Sequence, residues 1–147
     1  MDVEFRWPLK AQMNYWIFQS VVEQQDLRHR LQEGKEDIRL ASRYRQQMST
    51  GDLVFFWLGG PDDIRGIYGW GKLLSEPEFN NDRQEYRVRV RYDKRLTDHL
   101  RVGQIRAVSE LRNLLILRAP QATNFLLSRE EARSIASLID PSQRPEI

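Results

Sequence analysis

The sequence predicts an α+β fold, a curled sheet or small barrel of hairpin-connected strands with helices at its ends. Three observations point there. An almost continuous apolar run, Leu53-Val54-Phe55-Phe56-Trp57-Leu58, is followed across a turn-forming Gly59-Gly60-Pro61-Asp62-Asp63 cluster by a glycine-rich stretch from Arg65 to Leu74. Residues 86 to 92 read Tyr-Arg-Val-Arg-Val-Arg-Tyr, a strict period of two. Ser128-Arg129-Glu130-Glu131 is a capping box that opens an amphipathic helix.

In chain order, residues 1–12 lack periodicity and are expected to form an N-terminal extension, with Met13 as an alternative start. The domain proper is expected over 13–140 and a short C-terminal tail over 141–147. Tyr15-Trp16-Ile17-Phe18 has the aromatic and β-branched composition of a buried strand. Val22 to Leu31 suits a helix, with Gly34 as its stop, and a second short helix is expected over residues 40 to 47. Gly51-Asp52 reads as a tight turn into the 53–58 run, whose lack of alternation implies a strand buried on both faces. Glycines 66, 69 and 71 let the next strand bend, or let a ligand approach its backbone. The Glu76-Pro77 break and the polar Asn80-Asn81-Asp82 loop lead into the alternating strand. Leu111 to Leu117 is apolar enough for either a short helix or a strand. The last helix carries an apolar stripe of Ala132, Ile135, Ala136, Leu138 and Ile139, and Pro141 stops it.

Composition narrows the function classes. A chain of 147 residues suits one core. Without cysteine there is neither a disulfide framework nor a thiolate zinc site, which points to a cytoplasmic location. No apolar stretch reaches the roughly 20 residues a membrane helix needs, and the start, MDVEFRWPLK, lacks the apolar run of a secretory signal. The formal charge is only +2, yet 19 of 23 basic residues are arginine and only Lys10, Lys35, Lys72 and Lys94 are lysine. Arginine binds phosphate bidentately and stacks on bases, although a GC-rich genome gives the same bias without any partner.

Catalytic signatures are missing. His29 and His99 stand in polar settings without a second metal ligand at helical or hairpin spacing and are expected on the surface. The glycine spacings match no phosphate-cradling loop, and Glu33-Gly34-Lys35 with Pro61-Asp62 stand in the wrong order for a nuclease motif. The expectation is a protein that is not an enzyme and holds no cofactor or metal. Arg87, Arg89 and Arg91 would project from one strand face at about 7 Å intervals, close to twice the roughly 3.4 Å per phosphate of one DNA strand. They make a candidate phosphate-tracking rib, the plainer alternative being a solvated face with acidic cross-strand neighbours. Aromatic rings crowd the predicted strands, and a tryptophan beside a glycine-rich strand either packs the core or lines a slot for a flat ligand.

Four ordered pieces carry a resemblance. These are Tyr15-Trp16-Ile17-Phe18-Gln19; Arg43-Tyr44 leading to the 51–57 run; Gly66-Ile67-Tyr68-Gly69-Trp70-Gly71 ending at Glu76-Pro77; and Pro120-Gln121-Ala122-Thr123-Asn124-Phe125 before Leu127-Ser128. Together they resemble the EVE domains of the PUA-like superfamily, relatives of the YTH readers, over residues 13–140. The resemblance implies a PUA-like bent β-barrel of about five to six mostly antiparallel strands flanked by short helices. It also implies a pocket that accepts an extruded modified base, commonly a methylated or hydroxymethylated cytosine, in DNA or RNA. Many such domains are similar to the sensor modules of modification-dependent restriction systems, so a nuclease or other effector is an implied partner, with no membrane association and a monomer or weak dimer. Carried over residue by residue, the base pocket is expected at Ser20, Arg39, Leu40, Trp57, Phe79, Gln121, Thr123, Asn124 and Phe125. Trp57 and Phe79 would stack, while Ser20, Thr123 and Asn124 would hydrogen-bond base edges. Arg43 and Arg45 join Arg87, Arg89 and Arg91 as candidate phosphate contacts. Trp57 and Phe125 also read as core rings, and Thr123 and Asn124 as turn formers. Two departures stand out: Arg39-Leu40 where many relatives carry an aromatic residue, and Ala122 where many carry glycine. The alternative function is a protein-interaction or scaffold domain with a degenerate pocket.

Overall fold

The computed structural model describes residues 13–21 and 26–147. The expected extension over 1–12 and the first residues of the expected helix, 22–25, lie outside them. In chain order the elements are β1 (Tyr15–Val21), α1 (Leu27–Arg30), β2 (Glu36–Leu40), β3 (Leu53–Gly59), β4 (Gly66–Leu73), β5 (Glu78–Asn80), β6 (Glu85–Arg101), α2 (Val102–Arg106), α3 (Leu115–Arg118), β7 (Asn124–Leu127) and α4 (Arg129–Ser137). Seven strands form one sheet in the order β2-β6-β4-β3-β1-β7, with β5 also on β6; β1 and β3 run parallel and the other pairs antiparallel. The chain is therefore α+β, a curled half-barrel.

Strand β3 explains why its run shows no alternation. Leu53, Phe55 and Trp57 pack with Ile17, Phe125 and the apolar face of α4, while Val54, Phe56 and Leu58 pack inside the curl with Trp16, Phe18 and Tyr92. Both faces of the strand are core. The glycines of β4 allow the curl by admitting backbone, not ligand: a Cβ on Gly71 would lie 1.8 Å from the Arg91 carbonyl oxygen, and one on Gly69 2.3 Å from that of Lys94. The β4–β6 ladder shifts register at those places, where the pair bends.

Three expectations change. Strand β6 runs 17 residues, far beyond 86–92, because the register shifts re-phase it past the polar Asp93-Lys94-Arg95 that breaks its apolar alternation. The helix expected over 40–47 is instead the end of β2 followed by a single 3-10 turn, Arg45–Gln47. The helix that expectation drew from Val22 to Leu31 is described only as α1, four residues capped by Asp26. The undecided segment is helical, a 3-10 turn at Ser109–Leu111 and then α3, with Leu111, Leu114 and Ile116 buried. The capping box of α4 forms as read, Ser128 Oγ accepting from Glu131 N at 3.0 Å and Glu131 accepting from Ser128 N at 2.8 Å. Residues after Pro141 dock on the sheet, where the Gln143 carbonyl accepts from the Trp70 indole at 2.7 Å.

His29 is exposed, but His99 is half-buried and lies flat on Tyr68, rings 4.4 Å apart and 4° from parallel. Its Nε2 is buried without a partner. Burial, aided by Arg101, pushes its imidazolium pKa down. A depressed folded-state pKa contributes stability that is present above the unfolded value, about 6.5, and is lost as pH falls through the folded value. The melting temperature is therefore expected to drop between pH 7.5 and 5. His99→Phe, which keeps the stack, should flatten that drop; thermal melts across the range check it.

Candidate nucleic-acid interface

The curl leaves a slot where its two ends meet. Among the described strands β2 pairs with β6 alone, and the far end of the sheet is β7, paired with the first half of β1. Asn124, fully buried on β7, spans the gap: its Nδ2 donates to the Leu40 carbonyl at 3.0 Å and its Oδ1 accepts from Ser42 N at 2.9 Å. A side-chain amide thus closes the barrel where no backbone ladder does. Beside it Gln19 ties the 120–123 loop to β1, its amide donating to the carbonyls of Pro120 at 2.9 Å and Ala122 at 2.8 Å.

Between these ends opens a cleft of about 650 Å³ lined by β1, β2, the 83–87 segment and the 120–123 loop. Ser20, Arg39, Leu40, Gln121 and Thr123, five of the nine expected base-pocket residues, come together here, as does Arg87. Ser20 lies inside β1 rather than after it, because the strand continues to Val21. Among the described residues the cleft lining contains no aromatic ring.

The other four expected pocket residues lie elsewhere. Trp57 and Phe125 are core rings, 0% and 1% exposed. Period-two alternation puts Trp57 on the face of β3 that packs under α4, away from the slot. Asn124 holds the slot closed, so its amide is engaged with the chain's own backbone. Phe79 is 45% exposed on β5, edge-on to Tyr86 at 5.1 Å, at a separate small depression.

Arg39 dominates the cleft. It projects inward from β2, 4% exposed, with its guanidinium over Phe56 at 5.4 Å and Phe18 at 6.0 Å, and donates from Nη2 to Ser20 Oγ at 2.9 Å. Burial pushes its pKa below the ordinary arginine range. Next to it Asp37 accepts from Arg30 Nη2 at 2.7 Å and from the Tyr92 hydroxyl. Burial alone would raise the Asp37 carboxyl, yet the Arg30 and Tyr92 hydrogen bonds outweigh it and hold it below the usual range. Burial also pushes the Tyr92 phenol up to about 12, against the pull of Arg39. The Nη1 atoms of Arg30 and Arg39 are both buried without a partner. Arg30, Asp37 and the strand character of β2 escaped sequence reasoning, although Arg39 and Leu40 within it were expected at the pocket. The available signal was the alternation Asp37-Arg39 against Glu36-Ile38-Leu40, a strand whose inward positions are polar because they face a slot.

The candidate phosphate contacts divide. Arg87 and Arg91 pair along their own strand with Glu85 and Asp93, whereas Arg89 is exposed. Such surface pairs are worth about 0–1 kcal/mol each, so phosphate can displace them. Arg45 stacks on Tyr86 at 4.1 Å and Arg43 on Tyr44 at 5.8 Å. Among the described residues no three histidine, aspartate or glutamate side chains come together as a metal site would need.

Solved structures share this architecture at low identity. A structure of human THYN1 in complex with 5-methylcytosine-containing DNA matches with a TM-score of 0.66 and 15% identity, over 85% of this chain and 96% of that one. The DUF55 domain of human thymocyte nuclear protein 1 gives 0.70 and 15%, over 84% and 97%. A hypothetical protein from Leishmania major gives 0.68 and 16%, over 87% and 95%. No functionally curated sequence matches. The EVE domain pattern matches residues 14–138, most of the chain, and the protein belongs to the EVE domain family.

Proposed function

We propose that the chain is a non-catalytic module that takes an extruded modified base, of the methylated or hydroxymethylated cytosine type, into the slot between β2 and β1. The observation that carries this reading is the cleft itself. Its volume lies within the roughly 300–1,000 Å³ of small-ligand sites, and it opens where the two ends of the strand order, β2 and β7, meet without a backbone ladder. Four arginines line it, Arg30, Arg39, Arg83 and Arg87. The likeness in fold to human THYN1, whose structure holds 5-methylcytosine-containing DNA, supports it further. Discrimination rests on side-chain shape and donors: Val21, Ile38, Leu40 and Ala122 offer apolar contact to a methyl group, while Ser20, Gln121 and Thr123 offer polar contact to base edges. Extrusion from a duplex costs a few kcal/mol, so single strands should bind more tightly. The module supplies recognition to a separate nuclease, or senses modification alone.

The deciding measurement is fluorescence anisotropy of labelled DNA and RNA oligonucleotides carrying 5-methylcytosine or cytosine. A preference of about tenfold is expected, equivalent to about 1.4 kcal/mol, with affinity falling steeply as salt rises. Equal affinity for both bases and no salt dependence would overturn the reading and leave a protein-interaction domain.

A further inference from the structure

The charges in the slot do not balance. Among the described residues four arginines face two carboxylates, Asp37 and Glu85. Arg30 pairs with Asp37 and Arg87 with Glu85, which leaves Arg39 and Arg83 unmatched. Arg39 is the telling one, because it is only 4% exposed and its hydrogen-bonding partners among the described residues, the Ser20 hydroxyl and the Tyr92 phenol, are both neutral. Buried cations are ordinarily paired with a counter-charge or a full set of acceptors. Here two π-faces hold the guanidinium in place without neutralising it.

Three donors in this corner remain unspent. The Nη1 groups of Arg39 and Arg30 lack acceptors, and Ser20, whose oxygen accepts from Arg39, keeps its hydroxyl proton for another acceptor. From this arrangement we infer that the slot is completed by an oxyanion carried on the nucleotide, bound at Arg39 with Arg30 and Ser20 beside it. A carboxylate attached to the base and a terminal phosphate share that chemistry: each presents two or more oxygens to a planar donor fork. A neutral methylated base leaves Arg39 unpaired. Asp37 sets the limit on such an anion, since its own carboxylate must stay engaged by Arg30 Nη2 and Tyr92.

The inference rests on the reading of the slot as a nucleotide site, and its test separates the two. Isothermal titration compares single strands carrying 5-carboxylcytosine, 5-methylcytosine or cytosine, each with and without a 5′-phosphate. At least tenfold tighter binding of the carboxylated base identifies a base-borne oxyanion; at least tenfold tighter binding of the phosphorylated end identifies a strand terminus. If both changes leave affinity within twofold of the neutral strand while the methyl preference persists, the oxyanion inference fails and the reader stands. If no strand binds, both fail. Arg39→Met, which keeps volume and removes the charge, should abolish the oxyanion advantage without lowering the melting temperature. Survival of that advantage in Arg39→Met would overturn the assignment of Arg39. Should that variant not fold, the strand comparison on the unaltered protein decides the inference.

Discussion

Replacing Gly71 with alanine is expected to destabilise the protein by on the order of 3–5 kcal/mol, enough to deplete the soluble folded fraction. The added Cβ would sit 1.8 Å from the carbonyl oxygen and 2.9 Å from the carbonyl carbon of Arg91. Both obstacles are backbone, so no rotamer change relieves them. Strands β4 and β6 would have to separate at the register shift that bends the sheet. Because β6 also carries β2 on its other edge, that separation would spread to the slot. Gly103→Ala is the internal control: a Cβ there meets nothing within 4 Å, and the residue lies exposed in α2. It should gain up to about 1 kcal/mol from reduced freedom of the unfolded chain. Urea melts of the two variants check both signs, and a Gly71→Ala midpoint equal to wild type would refute the close-approach account.

Most of the fold was legible where side chains answer to one environment. The 53–58 run, the capping box at Ser128 and the Val88-Val90 alternation each have a single physical reading, and each forms. The glycines of β4 were legible as a bend but not as to what approaches them. That depends on the register of a strand some twenty residues further on, which no local pattern encodes. Strand β2 was lost for the opposite reason. Its inward positions are Asp37 and Arg39, which local rules assign to solvent; Asp37 is half-buried at the cleft, and Arg39 is buried over the rings of Phe18 and Phe56. Local patterns fail most at sites whose chemistry departs from core packing.

The candidate site shows the same division. Residues contributed by chain segments that flank the slot, Ser20, Arg39, Leu40, Gln121 and Thr123, were placed together by resemblance and lie together. The expected aromatic stackers did not follow. Whether a ring in a strand faces core or cleft is fixed by strand parity, and in a run buried on both faces the sequence carries no parity signal. Trp57 is one residue out of phase with Phe56, whose ring meets Arg39. On the proposed reading of the slot the consequence is chemical as well as geometric, since recognition would pass from stacked rings to a buried guanidinium.

Asn124 gives the second large effect, and it couples stability to the slot. Asn124→Ala removes the donor to the Leu40 carbonyl and the acceptor for Ser42 N, leaving two backbone groups unpaired at a buried seam. Each such orphan costs about 1–3 kcal/mol, so a loss of about 3 kcal/mol is expected, which lowers the melting temperature by roughly 10 °C for a chain this size. Asn124→Asp keeps the acceptor oxygens but loses the Nδ2 donor and buries a charge in its place, so it should lie no closer to wild type. Asn124 is not itself part of the cleft lining, but it holds the backbone of Leu40, which is. The seam sets the width between β2 and the 120–123 loop, so nucleotide affinity measured well below the new melting temperature should also fall. If Asn124→Ala melted early but bound its oligonucleotide with unchanged affinity, the amide would be a fastening of the fold alone. A parallel fall in both would make barrel closure and base recognition one device, with the slot held at its working width by a single side chain.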